Sequence, residues 1–365
     1  MNKQIQILQA IGIILVVVGH KCIGTIPTML NVFFIYSYHM ALFVFISGYL
    51  FKDEHIKDVK GYIAKKFKHL VIPYYIYNLI YGIIFTSLKK ANIISYGLDF
   101  SFESFFVCGW THGHQFSFNL AMWFVLSLFC IQVIYILIRK ATEHQRINPF
   151  ALLIILLTIG VGSIIVHTKY PSEALLPLTR TLFLLPFFHL GYICKSQKEI
   201  SNMDLRKAIY LLFSTTVIIA AIIILKKTGH FPFNYEYYAV HMRFNGLIIL
   251  PYFVSILGIA FWFSFSKITE NNIGNWTITK KISRASWDIM AHHLFIFFLI
   301  NLFFYTINAK GFDFTAFNQD QWYTYLTPDK LFLGIYLYHI LAIYIPIKLR
   351  DIIETIKNHS FNKIE

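Results

Sequence analysis

Charge is what this sequence most lacks. Asp, Glu, Lys and Arg together make up 14% of its 365 residues, against roughly a quarter in ordinary water-soluble domains. A soluble fold of this size does not need 57% hydrophobic residues either, so a soluble enzyme or binding module is excluded. Strand-like alternation is missing as well, which excludes a transmembrane barrel. No low-complexity linker, internal repeat or soluble domain interrupts the chain. Cysteine is scarce: Cys22, Cys108, Cys130 and Cys194 show no metal-ligand spacing, are read as packing residues, and give no reason to expect a metal. The sequons at Asn275 and Asn358 fall on the side read below as cytoplasmic and carry no meaning there.

What is present is a series of apolar runs near twenty residues long, the length of helix that crosses a hydrocarbon layer roughly 30 Å thick. Lipid offers no partner to an exposed backbone amide, so these runs must be helices. Ten spans are expected, near 5–26, 29–50, 70–88, 119–138, 149–166, 177–194, 208–225, 244–265, 284–304 and 331–348. The first lacks a small-residue cleavage site and is read as a retained helix rather than a signal peptide.

The formal charge of +14 reflects topology more than a nucleic-acid partner, which is not expected. Of 32 Lys and Arg, 22 lie in alternate loops and ends when the N-terminus is placed inside, including six Lys between Lys52 and Lys68. The positive-inside rule then puts both termini in the cytoplasm. The predicted fold is an all-α integral membrane protein of about ten transmembrane helices. Residues 1–350 form one transmembrane domain and 351–365 a short cytoplasmic tail. The outer segments 89–118, 226–243 and 305–330 are rich in Phe, Tyr and Trp, as interfacial anchors or as platforms for a sugar ring.

Ionisable residues inside a bilayer mark function because they are costly there. They are His20, His39, Arg180, His189, Asp288, His292, His293 and His339. Counted from a tight outer connection around Thr25 to Thr28, His20 and His39 fall within about 6 Å of the same depth and are the candidates to line one pocket. A neutral imidazole there takes a proton from a hydroxyl or attacks an acyl group itself; the alternative is a hydrogen-bonded packing residue. Asp288 is expected to pair with a nearby Lys or Arg. His112, Gly113 and His114 read as solvated loop, without the further ligands a metal would need.

In order along nearly the whole chain, these residues resemble acyltransferase family 3, the membrane enzymes that O-acetylate surface polysaccharides, and within it the fucose O-acetylase and exopolysaccharide branch. IGIILVVVGH, Ile11 to His20, looks like its first span, which ends in the histidine regarded as catalytic. HMALFVFISGY, His39 to Tyr49, is similar to its second-span motif and includes Ser47. KKFKHLVIPYY, Lys65 to Tyr75, resembles the basic segment before span three, and MWFVLSLF, around Trp123, its aromatic span. Arg180 with LLPFFHLGY, Leu184 to Tyr192, resembles a further block. ISRASWDIMAHHLFI, Ile282 to Ile296, looks like the late motif and places its histidine on His293.

The resemblance implies a bacterial cytoplasmic membrane enzyme that moves an acetyl group from cytosolic acetyl-CoA to a glycan or lipid-linked sugar, with polysaccharide assembly proteins as further partners. It makes His20 and His39 catalytic. It makes Arg180, Trp123, Ser47, His293, Lys65, Lys66, Lys68, His69 and Gln9 the substrate- and donor-binding set. Two positions depart from the family pattern: Gln9 stands eleven residues before His20 where the family usually has Arg or Lys, and His69 stands at the second Arg of the basic segment. Lys65, Lys66 and Lys68 are the nearest basic substitutes. The rival readings are a polysaccharide transporter or flippase, and an inactive homologue within a glycan assembly complex. The paired repeats with broken helices common in transporters are not found.

Overall fold

The computed structural model describes residues 2–21, 35–111, 115–145, 147–230, 235–244, 246–319, 325–326 and 328–361. Ten principal helices are present among them: α1 (Lys3–Lys21), α2 (His39–Tyr49), α3 (Ile72–Lys90), α4 (Trp123–Ala141), α5 (Pro149–Lys169), α6 (Leu176–Ser196), α7 (Leu205–Lys227), α8 (Leu250–Ile268), α9 (Ser286–Thr306) and α10 (Pro328–Phe361). Each coincides with one expected span. Among the described residues, eight helical runs are long and apolar enough to cross a membrane, and strand is limited to one two-residue pair and an isolated bridge. This is an all-α integral membrane protein. The remaining two expected spans fall on α2 and α10, and α10 runs on past Arg350 to Phe361.

The second span differs from its expected form. The helix was expected from about residue 29, and the part of that range before 35 lies outside the described residues, as do Cys22, the connection from Thr25 to Thr28, and His112, Gly113 and His114. Residues Ile35–Ser37 form a tight turn, and α2 begins only at His39, because Tyr38 leaves helical geometry at φ −150. Eleven residues of helix rise about 16 Å, too little for a bilayer alone. Such a break is tolerated at membrane depth only where protein, not lipid, meets the freed backbone. That condition holds: Ser255 Oγ donates to Ser37 O at 2.8 Å, and Ser37 Oγ donates to Tyr235 O at 3.2 Å.

Helix α2 is accordingly central. It packs on α6 so closely that a Cβ built on Gly48 would overlap the Phe188 carbonyl, and one on Gly191 the Phe45 carbonyl. Small residues give this contact its depth, since lipid tails supply no hydrophobic drive between helices and close packing must replace it. On its other sides α2 sets Phe43 against Gly12 of α1 and Phe45 against Phe263 of α8, rings 5.7 Å apart. Helix α6 is largely enclosed, whereas α7 is mostly exposed at the rim. Pro186 inside α6 removes one helical hydrogen bond, and nearby Tyr252 Oη donates to the Phe183 carbonyl at 3.1 Å.

Helix α3 is preceded by a helical run from Val59, continuous with it through a widened turn, Phe67–Val71, where the Ile72 amide reaches back five residues to Phe67 O. The extra room lies just before Pro73, whose ring would otherwise crowd the preceding turn. On the expected inner side, Asp288 pairs with Arg350 at 2.9 Å, as anticipated, and Lys281 pairs with Asp351 at 2.7 Å. The outer aromatic segments take a course not weighed above. Phe312, Phe317 and Tyr325 pack on one another and on Phe298 of α9, and Phe100 stacks on Phe116. Among the described residues of these segments Phe102, 76% exposed, is the most exposed aromatic ring and is placed in the manner of an anchor. The three described cysteines, Cys108, Cys130 and Cys194, are free thiols.

The α2–α6 contact yields a stability prediction. Gly191→Ala should lower the thermal midpoint of the purified protein by an amount equivalent to about 1–3 kcal/mol or more, the usual penalty for overpacking. Gly162→Ala on α5, where a Cβ meets nothing within 4 Å, should leave it unchanged. Equal midpoints for the two variants in a detergent-solubilised thermal melt would contradict the packing account.

Candidate functional site

Two histidines, His20 and His39, line one cavity and a third, His293, stands buried behind His20; each is held by the same local device. The ring of His20 lies one turn beyond Val16, with Nδ1 2.8 Å from the Val16 carbonyl. His39 Nδ1 lies 2.8 Å from Ile35 O, and His293 Nδ1 is 2.9 Å from Ile289 O and 3.0 Å from Met290 O. A carbonyl only accepts, so in each ring the Nδ1 proton is donated and Nε2 is left as the basic nitrogen. The backbone of each residue's own preceding turn thus selects the tautomer.

His293 then couples to His20. Its Nε2 lies 3.4 Å from His20 Nδ1, and the ring centroids are 4.9 Å apart. His20 Nδ1–H is therefore shared between Val16 O and the His293 lone pair. Tyr36 stands edge-on to both His20, at 6.2 Å, and His39, at 5.2 Å, and so spaces the two rings.

The cavity encloses about 270 Å³, at the small end of the roughly 300–1,000 Å³ typical of small-molecule sites. His20, His39 and Trp123 form its wall together with Tyr36, Tyr238 and His241. The last three carried no motif in the sequence. Tyr36 lies beside an unexpected helix break, and Tyr238 and His241 belong to the outer segment 226–243, whose aromatic content was the only signal.

Behind the wall is a buried cation. Arg180, 1% exposed, places its guanidinium 4.8 Å over the Trp123 ring, and Nη1 donates to Val240 O at 3.0 Å. Its Nε has no hydrogen-bond partner, and no carboxylate pairs with it among the described residues. Arg180 is therefore not one half of an ion pair among the described residues. Beside the same wall, Asn119 holds both amide atoms buried without a partner. It immediately precedes Leu120 and Ala121, which line the cavity. Orphaned polar groups of this kind are rare in folded proteins. Outside the membrane-spanning helices, burial and then the Arg243 and Arg180 charges hold His241 below the usual imidazole range, so it is neutral at pH 7.

The family model described as an acyltransferase domain, that of acyltransferase family 3, matches residues 2–328. The chain belongs to this family. Among curated proteins and among solved structures, none matches it. The match takes in α1 to α9 and stops where α10 begins, so every residue of the cavity wall lies in the acyltransferase region.

The other expected site residues of this membrane acyltransferase lie away from the cavity. Gln9 is eleven residues before His20, about 16 Å along α1, and its Oε1 accepts from Ser283 Oγ at 2.8 Å. Ser47 Oγ donates to Phe43 O at 3.0 Å, within α2. Lys65 and Lys68 are exposed in the run that leads to α3, Lys66 lies 5.2 Å over the Tyr62 ring, and His69 Nδ1 donates to Lys65 O at 2.7 Å. Of the other intramembrane histidines, His189 is satisfied at both nitrogens, by Tyr135 Oη and Pro149 O, each at 2.9 Å, and His292 bonds Tyr81 Oη at 2.5 Å. Both are packing histidines.

A buried cation with no carboxylate does not strengthen the fold by its charge. Arg180→Met should therefore lower the thermal midpoint by no more than the loss of its hydrogen bond to Val240 O accounts for, about 0.5–1.5 kcal/mol, while abolishing the activity of the acyltransferase. A midpoint several degrees lower would show that the guanidinium serves the fold instead.

Proposed function

We propose that this acyltransferase transfers an acetyl group from acetyl-CoA to a sugar hydroxyl of an extracytoplasmic or lipid-linked polysaccharide, in a bacterial cytoplasmic membrane. The observation that carries the reading is the pairing of His20 with His293 at the wall of a cavity backed by an uncompensated Arg180. It rests also on the resemblance of the motifs to the polysaccharide O-acetylase branch.

His20 is the general base. Its Nε2 takes the hydroxyl proton as the sugar oxygen attacks the thioester carbonyl, and the tetrahedral intermediate collapses with loss of the coenzyme A thiolate, which receives that proton from His20. His293 is a positioning residue. It accepts from His20 Nδ1–H, orients the ring, and steadies the imidazolium formed in the transition state. A carboxylate does this work in hydrolase triads, but an ionised carboxylate at this depth costs far more than a neutral imidazole. His39 polarises the reacting hydroxyl from the facing helix. Arg180, with Trp123 as its cover, supplies positive potential to the oxyanion in a water-poor site, where it acts most strongly.

The cavity is too small for a whole nucleotide donor, so only the acyl end of acetyl-CoA enters it. The phosphates would be held on the inner side by Lys65, Lys66, Lys68 and His69, and Gln9, where the family usually has a cation, offers an amide donor. Ser47, its hydroxyl committed to Phe43 O, has no part in the reading.

Radiolabelled acetyl-CoA and a glycan acceptor, supplied to purified protein in lipid nanodiscs, test this directly. His20→Ala should lower kcat by about 10²–10⁴, the usual contribution of a general base, and wild-type turnover from it would overturn the assignment. His293→Ala should lower kcat with little change in the acetyl-CoA KM, and His293→Gln, which restores an acceptor near Nε2, should recover part of the rate. Failure of Gln to do better than Ala would remove His293 from the mechanism.

A further inference from the structure

The wall that closes the reaction cavity on its outer side has a second face. It is a hairpin: β1 (Tyr237–Tyr238) pairs antiparallel with β2 (Arg243–Phe244) across a tight turn, Ala239–His241, and Met242. Met242 is buried and sits in the left-handed region at φ 51, ψ 38. A non-glycine residue there stores strain that persists only where the surroundings over-determine the backbone. The braces are visible. Arg180 Nη1 donates to Val240 O, the His167 ring hydrogen-bonds the His241 backbone, and the Tyr237 and Phe244 rings stack at 5.5 Å.

The reversal at Met242 places its two neighbours differently: His241 borders two spaces and Arg243 one of them. His241 lines the reaction cavity, and His241 and Arg243 together line a second cavity of about 470 Å³, closed on its far side by the turn between α5 and α6. His167, Ser172, Glu173 and Phe244 complete the part of that lining that bears on a ligand. Because His241 belongs to both cavities, molecules occupying the two are immediate neighbours.

We propose that this outer cavity is a second sugar subsite, holding the unit next to the one acetylated, so that the enzyme reads its acceptor as an oligosaccharide. The inference rests on the reading of the acceptor as a glycan. Its chemistry suits an uncharged polyhydroxylated ring. Glu173 accepts from adjacent hydroxyls, and Arg243, which pairs with no carboxylate among the described residues, donates to them. His241 and Ser172 each both donate and accept, and Phe244 gives an apolar wall for the C–H face of the ring. Cationic and anionic groups both line the cavity, which favours a neutral sugar over a purely anionic ligand. The volume lies within the roughly 300–1,000 Å³ range of built ligand sites.

The test is direct binding to the full-length protein in nanodiscs. The probes are fragments of one to six units, made by mild acid hydrolysis of the surface polysaccharide of the cells that express this chain. Affinity should rise at least tenfold from one unit to two. Arg243→Ala and Glu173→Gln should each remove most of that gain and leave single-unit affinity unchanged, which also shows that the variants are folded. Equal affinity for one and two units, a gain untouched by both variants, or no binding of any fragment would overturn the subsite. Transfer of labelled acetyl, measured on the same samples, separates this inference from the one beneath it. Size-dependent binding without transfer would sink the acetyl-transfer reading and leave the subsite standing, whereas transfer without size dependence would sink the subsite alone.

Discussion

The structure depends on a contact between two helices that present no side chain where they touch. Gly48 of α2 and Gly191 of α6 let the backbones meet at a distance that a single methyl group would forbid. The two chemically distinctive residues on these helices lie on the same side of the crossing. His39 is nine residues before Gly48 and Arg180 eleven before Gly191, about 14 and about 17 Å along their axes. A crossing without side chains therefore sets an imidazole and a guanidinium at closely matched depth. The cavity wall is built out from there, with Trp123 lying over Arg180 and Tyr36 beside His39.

The proposed mechanism answers a problem specific to a bilayer, which is how to carry out proton transfer where charge is costly. Each of the three histidines is held in one tautomer by a carbonyl from its own helix or the turn before it. In the proposed mechanism the task usually given to a carboxylate falls to a third imidazole, and the charge of Arg180 is kept beneath an aromatic ring and against a carbonyl dipole. Hydrogen bonds from Ser37, Ser255, Tyr252 and Arg180 to loop or kink carbonyls let the backbone be irregular around this site without exposing it to lipid.

Much of this was legible in the residues. Hydrophobic length located eight helical runs that are long and apolar enough to cross a membrane, because the bilayer imposes one length on them, though it missed that α2 keeps only eleven helical residues; the charge map implied the sidedness on which the outer placement of the hairpin depends. The family-like motifs proved physical: the Gly–Tyr endings of HMALFVFISGY and LLPFFHLGY hold the two glycines of the crossing. His20 and His39 were paired from depth alone and do share a cavity, although the count assumed a helix where residues 35–38 form a turn. Contacts distant in sequence left no such trace. That His293 meets His20, that Arg180 lies under Trp123 with no carboxylate among the described residues, and that His241 is folded into the wall all follow from packing between helices distant in sequence or from an outer hairpin, and no local period encodes them. Ser47 looked functional because it sits in a motif, yet its hydroxyl is used within its own helix.

If the histidine cavity is where an inner donor meets an outer acceptor, the acetyl group must cross between faces during the reaction. Proteoliposomes with labelled acetyl-CoA sealed inside and glycan acceptor supplied only outside measure this most directly. The account predicts labelled glycan in the external medium from vesicles that remain impermeable to coenzyme A. Labelling only when donor and acceptor share one compartment would contradict it.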